Sequence, residues 1–277
     1  MSEPKRDEHD AELAVPAQQL TYSSYLRVDE LLALQVPRSD PAEHDETLFI
    51  VIHQVYELWF KQLLHEVDHL QRALVAGDTA GAGATFKRML VILKVMVGQV
   101  DVIETMTPVQ FASFRARLES ASGFQSRQFR ALELALGMRE PRLLAHLQKD
   151  PVSKALADRY TTRPTVYDAF LAYLARHGVA VPSELLTRDV RAPLPESAAL
   201  RAELVDIYRH RPELSGMCER LVDLDEGLQE WRYRHVKMVE RTIGFKRGTG
   251  GSAGAEYLRQ TLFRPLFADL WAIRAEL

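Results

Sequence analysis

Residues 45–76 read DETLFIVIHQVYELWFKQLLHEVDHLQRALVA, and this stretch decides the fold class. Phe49, His53, Tyr56 and Phe60 follow the spacing i, i+4, i+7, i+11, so on a helix they share one face. Ile50, Ile52, Val55, Leu58, Trp59 and Leu63 surround that face. The first half of the stretch is therefore apolar nearly all round, which predicts a buried helix over 45–76. His53 is placed as a buried imidazole beside aromatic rings.

A second long helix is predicted over 212–243. Leu214, Met217, Leu221, Leu224, Leu228, Trp231, His235 and Met238 alternate spacings of three and four, a heptad-like core seam. His235 stands at a seam position that a leucine would normally fill. Working outward, helical periodicity also predicts helices over 22–35, 83–106, 108–120, 125–137, 164–176, 196–209 and 264–275, with no clear strand alternation. Pro108, Pro164 and Pro265 each sit where a first helical turn tolerates proline, and His177-Gly178 reads as a stop. Residues 178–196 carry three prolines and read as a connecting loop with room for one short helix. The expectation is an all-α bundle: a disordered tail over 1–19, then one helical domain over 20–277.

Composition narrows the function classes. The 277 residues are 47% hydrophobic and 26% charged, ordinary for a soluble globular chain. A net charge of −3 argues against a nucleic-acid binder, which would carry a basic surplus. Cys218 is the only cysteine, so no intrachain disulfide forms and a reducing, cytoplasmic setting is expected. The lone thiol also excludes a Cys-rich zinc site, an iron–sulfur cluster and thioether attachment of haem. The opening MSEPKRDEHDAELA has no apolar core and is not expected to be a signal peptide. The longest apolar stretches, 48–60 and 89–97, are short of the roughly 20 residues that span a bilayer.

Two imidazoles on the inner faces of two long helices point to chemistry. Either could be a core residue bonded to a neighbour. Neutral imidazole is also the commonest metal ligand and the usual proton-transfer group near neutral pH. An apolar, aromatic, helix-lined pocket with two histidines suits a b-type haem held non-covalently, with one proximal His and a distal group controlling oxygen. Spacing alone does not say which histidine would hold iron.

A rival motif is His65-Glu66-Val67-Asp68-His69, which matches the H-E-x-x-H zinc-protease pattern. The core stripe there is Leu63, Val67, Leu70 and Leu74. His65 and His69 lie roughly 200° and 240° round from Leu63 at about 100° per residue, among Glu66, Asp68, Arg72 and Lys61. No third ligand follows nearby, so this reads as a solvated face. The glycine-rich run 248–254 is neither a P-loop nor a dinucleotide fingerprint. It is either a plain connection or a loop whose backbone N–H groups and Thr249 hydroxyl close over an anionic or zwitterionic ligand. Arg115, beside Phe111 and Phe114, is either a surface residue or a bidentate carboxylate clamp.

Five blocks together are distinctive: LTYSSYL (20–26), HDETLFIVIHQVYELWFKQ (44–62), SGFQS (122–126), WRYRH (231–235) and IGFKRGTGGSAG (243–254). In content and order they resemble the hallmark blocks of the tryptophan 2,3-dioxygenase family, from about residue 20 to the C-terminus. The resemblance implies that His235 is the proximal haem ligand and His53 the distal histidine bonding the indole N–H. It implies that Arg115 and Thr249 hold the carboxylate and ammonium groups of the amino acid. It implies that Phe49 and Phe111 line the indole pocket, completed by Tyr22, Tyr25 and Leu26. Ser122 and Gly123 would lie against the haem. In the family the N-terminal segment reaches into a neighbouring subunit, so a homotetramer is implied. The family reaction converts L-tryptophan and dioxygen to N-formylkynurenine on ferrous haem, the entry to tryptophan catabolism through kynurenine. Ser23, Thr47, Phe111 and Ala253 stand where Gly, Met, Tyr and Ser are common in the family.

Three competing activities remain open on sequence. A relative with the same haem fold would insert one oxygen atom rather than two, into tryptophan or a methylated or related aromatic amino acid. A zinc hydrolase would use His65, Glu66 and His69. A cofactor-free helical interaction protein would use neither.

Overall fold

In the computed structural model the described residues are 19–139, 144, 147, 151–244, 246 and 255–277. The expected tail over 1–19 falls outside them but for its last residue, and so does the whole glycine-rich run with Thr249 and Ala253. The longer elements are α1 (Tyr22–Leu26), α2 (Val28–Leu32), α3 (His44–Ala76), α4 (Thr79–Ile103), α5 (Pro108–Arg115) and α6 (Arg127–Leu136). They continue as α7 (Pro151–Thr161), α8 (Val166–Arg176), α9 (Ser183–Leu186), α10 (Ala198–His210), α11 (Pro212–Ile243), α12 (Ala255–Arg259) and α13 (Ala268–Ala272). No strand occurs among the described residues, and the fold is all-α.

Local chemistry sets the ends of these helices. α3 stops at Gly77, whose φ of 75° suits a residue without a Cβ. α4 starts two residues later, at Thr79, because Asp78 caps it, its carboxylate accepting the Gly81 N–H. α5 opens with Pro108 in its first turn and a capping box between Thr107 and Gln110. α11 likewise begins on proline, Pro212.

The frame is a bundle built on α3, α4 and α11. α4 packs against both of the others, while α6 and α8 close the remaining flank of α3. Its core runs through Val67, Leu70 and Leu74 of α3, Phe86 and Met96 of α4, Phe170 of α8 and Leu221 of α11. Asp225, fully buried on α11, accepts the N–H groups of Leu266 and Phe267 and the Trp271 indole N–H. That bond set anchors the C-terminal segment, since a buried carboxylate left without donors would be costly. A separate small core of Met106, Phe111 and Phe114 gathers Phe49, Leu118 and Ile243 around it. It joins the start of α3, α5 and the end of α11.

α3 and α11 match expectation almost residue for residue, whereas α4, predicted over 83–106, begins four residues earlier and ends three residues earlier. The predicted helix 22–35 is split, because Arg27 takes a left-handed conformation (φ 54°) that ends α1 and begins α2. The predicted 108–120 helix ends at Arg115 and tightens into a 3-10 turn over Ala116–Leu118. α7 and α12 were not expected from periodicity, and the final predicted helix shrinks to α13 plus a 3-10 turn. The first half of α3 is less covered than its sequence predicts: Val51 is 37% and Leu58 49% exposed. Within one chain its neighbours cover only one side of it.

Candidate functional site

His53 lies in the third turn of α3. Its Nδ1 is 2.7 Å from the Phe49 carbonyl oxygen. A carbonyl only accepts, so Nδ1 carries the proton and Nε2 presents its lone pair. The ring packs on Phe49 at 4.1 Å between centroids, and Phe49 reaches Phe114 at 5.5 Å and Phe111 at 5.7 Å. Burial pushes the His53 pKa below its ordinary value, against the opposing pull of the Phe49 carbonyl and Glu57.

His235 lies two turns before the end of α11. It stacks on Trp231, one helical turn earlier, with planes 3° apart and centroids at 5.4 Å. Burial pushes its pKa down to about 4, with smaller contributions from His53 and from the Arg130 cation. Both imidazoles are therefore neutral at pH 7, and they stand close enough to influence each other's charge.

An aromatic wall continues from Trp231 to Phe129 (4.9 Å), Phe60 (5.8 Å) and Tyr56 (6.1 Å). The Tyr56 hydroxyl donates to the Met96 carbonyl at 2.8 Å, and burial pushes its pKa up to about 12. Behind this wall Glu133 pairs with Arg130 at 2.6 Å and Arg232 at 2.9 Å, all three side chains being buried. This triad ties α6 to α11 and is one feature the sequence reading missed. Its signal was two charged residues, Arg130 and Glu133, inside an apolar helix.

Beside the small core, a cavity of about 410 Å³ opens between α5 and the end of α11. Phe111, Arg115, Ala116, Glu119, Ile243 and Lys246 are among its walls. The structure thus brings Phe49 and Phe111 together and places Arg115 on the same cavity as Phe111. Lys246 and Glu119 are further missed residues. Ser122 caps the 3-10 turn Gly123–Gln125, its hydroxyl accepting the Phe124 N–H, and Gly123 is exposed. Tyr22, Tyr25 and Leu26 are not brought to the histidines within one chain: they are 78%, 72% and 45% exposed, and α1 buries no residue.

The three polar side chains of the H-E-x-x-H stretch do not share one face. His65 and His69 are exposed, as expected. Glu66 is not on that solvated face: it is buried and takes Arg88 at 3.1 Å and the Gln62 amide at 2.6 Å. Among the described residues no group of three or more His, Cys, Asp or Glu side chains converges as for a chelated metal. No helix of the described residues is long and apolar enough to cross a membrane.

Fold and site define an all-helical protein whose two longest helices each bring a neutral imidazole to one aromatic site, with an arginine-bearing cavity alongside. The family model described as tryptophan 2,3-dioxygenase matches residues 7–150 and 141–277. A tryptophan 2,3-dioxygenase of Herpetosiphon aurantiacus is 59% identical over 261 residues, covering 94% of this chain and 100% of the relative. One from Anaeromyxobacter sp. (strain K) is 58% identical over 258 residues, 93% of this chain and 96% of the relative. One from Pseudomonas fluorescens is 39% identical over 273 residues, 97% and 95% of the two chains. The chain belongs to the tryptophan 2,3-dioxygenase family.

Proposed function

We propose that this chain opens the indole ring of L-tryptophan with dioxygen, giving N-formylkynurenine, and that it does so as a haem enzyme. The observation that carries this reading is the pair of neutral imidazoles, one on α3 and one on α11, set among aromatic rings.

The residues present fit a haem. An iron-binding imidazole must be unprotonated, and burial keeps His235 so. With one cysteine and an aromatic wall, the setting suits a b-type haem held without covalent attachment. His235 would hold the iron, with Ser122 and Gly123 against the macrocycle; the haem supplies dioxygen binding and activation.

The chain's own residues bind and orient. Phe49 and Phe111 form an apolar slot for the indole ring. His53 Nε2, left as an acceptor by the Phe49 bond, receives the indole N–H. A substrate lacking that proton would leave the buried acceptor unpaired, which selects for the free indole. Arg115 clamps the carboxylate in bidentate fashion, and Thr249 takes the ammonium group. Residues 20–277 act as one domain in a homotetramer, with Tyr22, Tyr25 and Leu26 of one copy completing a neighbour's pocket. The lone thiol, Cys218, is buried, and burial pushes its pKa up to about 12, which makes it an unreactive core residue; a chain with a single cysteine suits a reducing cytoplasm.

Absorption spectroscopy of the haem-reconstituted protein tests this directly. The expected result is a Soret band that His235→Ala loses, and oxygen-dependent formation of N-formylkynurenine from L-tryptophan. Both atoms of labelled dioxygen should enter the product. A single labelled atom would instead define a mono-oxygenase, and a protein without a Soret band would remove the haem reading.

A further inference from the structure

The fold holds α11 unevenly along its length. From Leu214 to Leu228 a seam of apolar side chains is buried, and Trp231, Arg232 and Val236 extend it, but beyond Val236 no residue of the helix is buried. Of those last residues Ile243 leans on the small core without being buried in it. His235 stands at this change from packed to unpacked helix. A helix end with few buried contacts opens and rolls at little cost. A roll of about 10° would swing an atom roughly 6 Å from the helix axis by about 1 Å. That exceeds the roughly 0.5 Å within which a ligating group has to be held.

A carboxylate of α4 supplies what packing does not. Glu104 caps the C-terminal end of α4, and its side chain is only 11% exposed. Its Oε2 accepts from Arg234 at 3.1 Å and from Arg241 at 2.9 Å. These arginines are seven residues apart, so they share one face of α11 two turns from each other. They bracket His235, whose own face lies about 100° round from that of Arg234. One oxygen thus ties α11 to α4 on both sides of the imidazole. Arg234 also donates to Asp101 at 2.6 Å, but Asp101 is well exposed and water screens that contact. The bond from Arg232 to Glu133 of α6 lies before His235 and leaves the last turns to Glu104.

We propose that Glu104 is a positioning residue for the haem ligand: by holding Arg234 and Arg241 it sets the roll of the last turns of α11, and with it the aim of the His235 imidazole. This rests on the reading of His235 as the proximal ligand. Glu104 acts through the helix and not by contact with the haem.

Glu104→Gln keeps the side chain's length and removes its charge. Both arginines already reach water, so the released cations are solvated and the chain should still fold, with a melting temperature within about 2 °C of wild type. Haem release would be followed well below that temperature as transfer from the loaded protein to apomyoglobin. The orientation of the axial imidazole would be read from the g-values of the ferric azide complex.

E104Q should release haem about 10-fold faster than wild type, the low end of the loss seen when a group that orients a metal ligand is removed. Its g-values should shift, because the imidazole no longer has one fixed orientation. Asp101→Asn should change the release rate by less than about twofold, as expected for a screened contact. Arg241→Gln should also speed release, and the E104Q/R241Q double variant should be no faster than E104Q alone, since both changes break the same tie. An E104Q that melts lower but keeps the wild-type release rate and g-values would give Glu104 a purely structural role and overturn the proposal. So would D101N releasing haem as fast as E104Q, or additive effects in the double variant. A wild-type chain that takes up no haem would overturn the reading of His235 beneath it, and that outcome is visible before any variant is made.

Discussion

At the scale of single residues, His53 and His235 are polar groups in places built for apolar ones, and both are kept neutral by lost hydration. For His53 this has a functional sign. Its folded pKa lies below 6.5, so Nε2 is an acceptor at and above that pH; protonation as pH falls through the folded value would turn it into a donor facing the indole donor. kcat/KM for L-tryptophan should therefore stay level from about pH 8 down to about 6.5 and fall only below that. Glu57 is one of the groups pulling the His53 pKa up, so Glu57→Gln should move the acid limb to still lower pH. A pH–rate profile checks both. A half-loss at or above pH 7, or a limb that moves upward in E57Q, would contradict the assignment of His53 as a neutral acceptor.

At the scale of elements, the site depends on α11 lying close to α4. Gly227 is a tight point of that packing: a Cβ there would stand 3.2 Å from Leu93 Cδ1. Alanine could be accommodated by a small shift and would gain helix propensity. Gly227→Val adds branched bulk and should cost roughly 1–3 kcal/mol by overpacking. A lower urea midpoint at unchanged slope would show it; an unchanged midpoint would mean the two helices have room to spare. This contact also marks what periodicity could and could not show. α3 and α11 were legible because a sustained apolar pattern over many turns leaves little freedom, and with them came His53 and His235. The break at Arg27 was not, because nothing in VDELL or YSSYL demands a left-handed residue between them. Glu66 was misplaced because the stripe through Leu63, Val67 and Leu70 is wider than its apolar letters: Arg88 of α4 supplies a partner that lets a carboxylate enter it. Glu119 was hidden for a related reason. Turn rules announce glycine at positive φ, and a glutamate there carries no signal until the cavity beside it is seen.

At the scale of the molecule, one chain leaves too much apolar surface uncovered. Leu20, Tyr22, Tyr25, Leu32, Leu34 and Val36 are each more than half exposed, all within a short N-terminal stretch that adds nothing to the core. Val51 and Leu58 of α3 and Val91, Val95 and Val102 of α4 are also uncovered, on helices whose inner faces are fully packed. Single exposed apolar residues need no explanation, but a run of them on one segment and two adjacent helices implies covering by protein. The two tyrosines are free to act beyond their own chain, because no residue of α1 is buried in it. If α1 of one copy closes the pocket of another, removal of residues 1–27 should abolish turnover while the Soret band remains, since His235 and its aromatic wall are untouched. Sedimentation of the full chain should give a tetramer, and mixing the truncated chain with a His53→Ala chain should restore activity: each intact N-terminus would complete a pocket that still has its histidine. Activity retained by the truncated chain alone, or no recovery in a mixture shown to co-assemble, would confine the site to a single chain and leave the exposed tyrosines with a purely structural role.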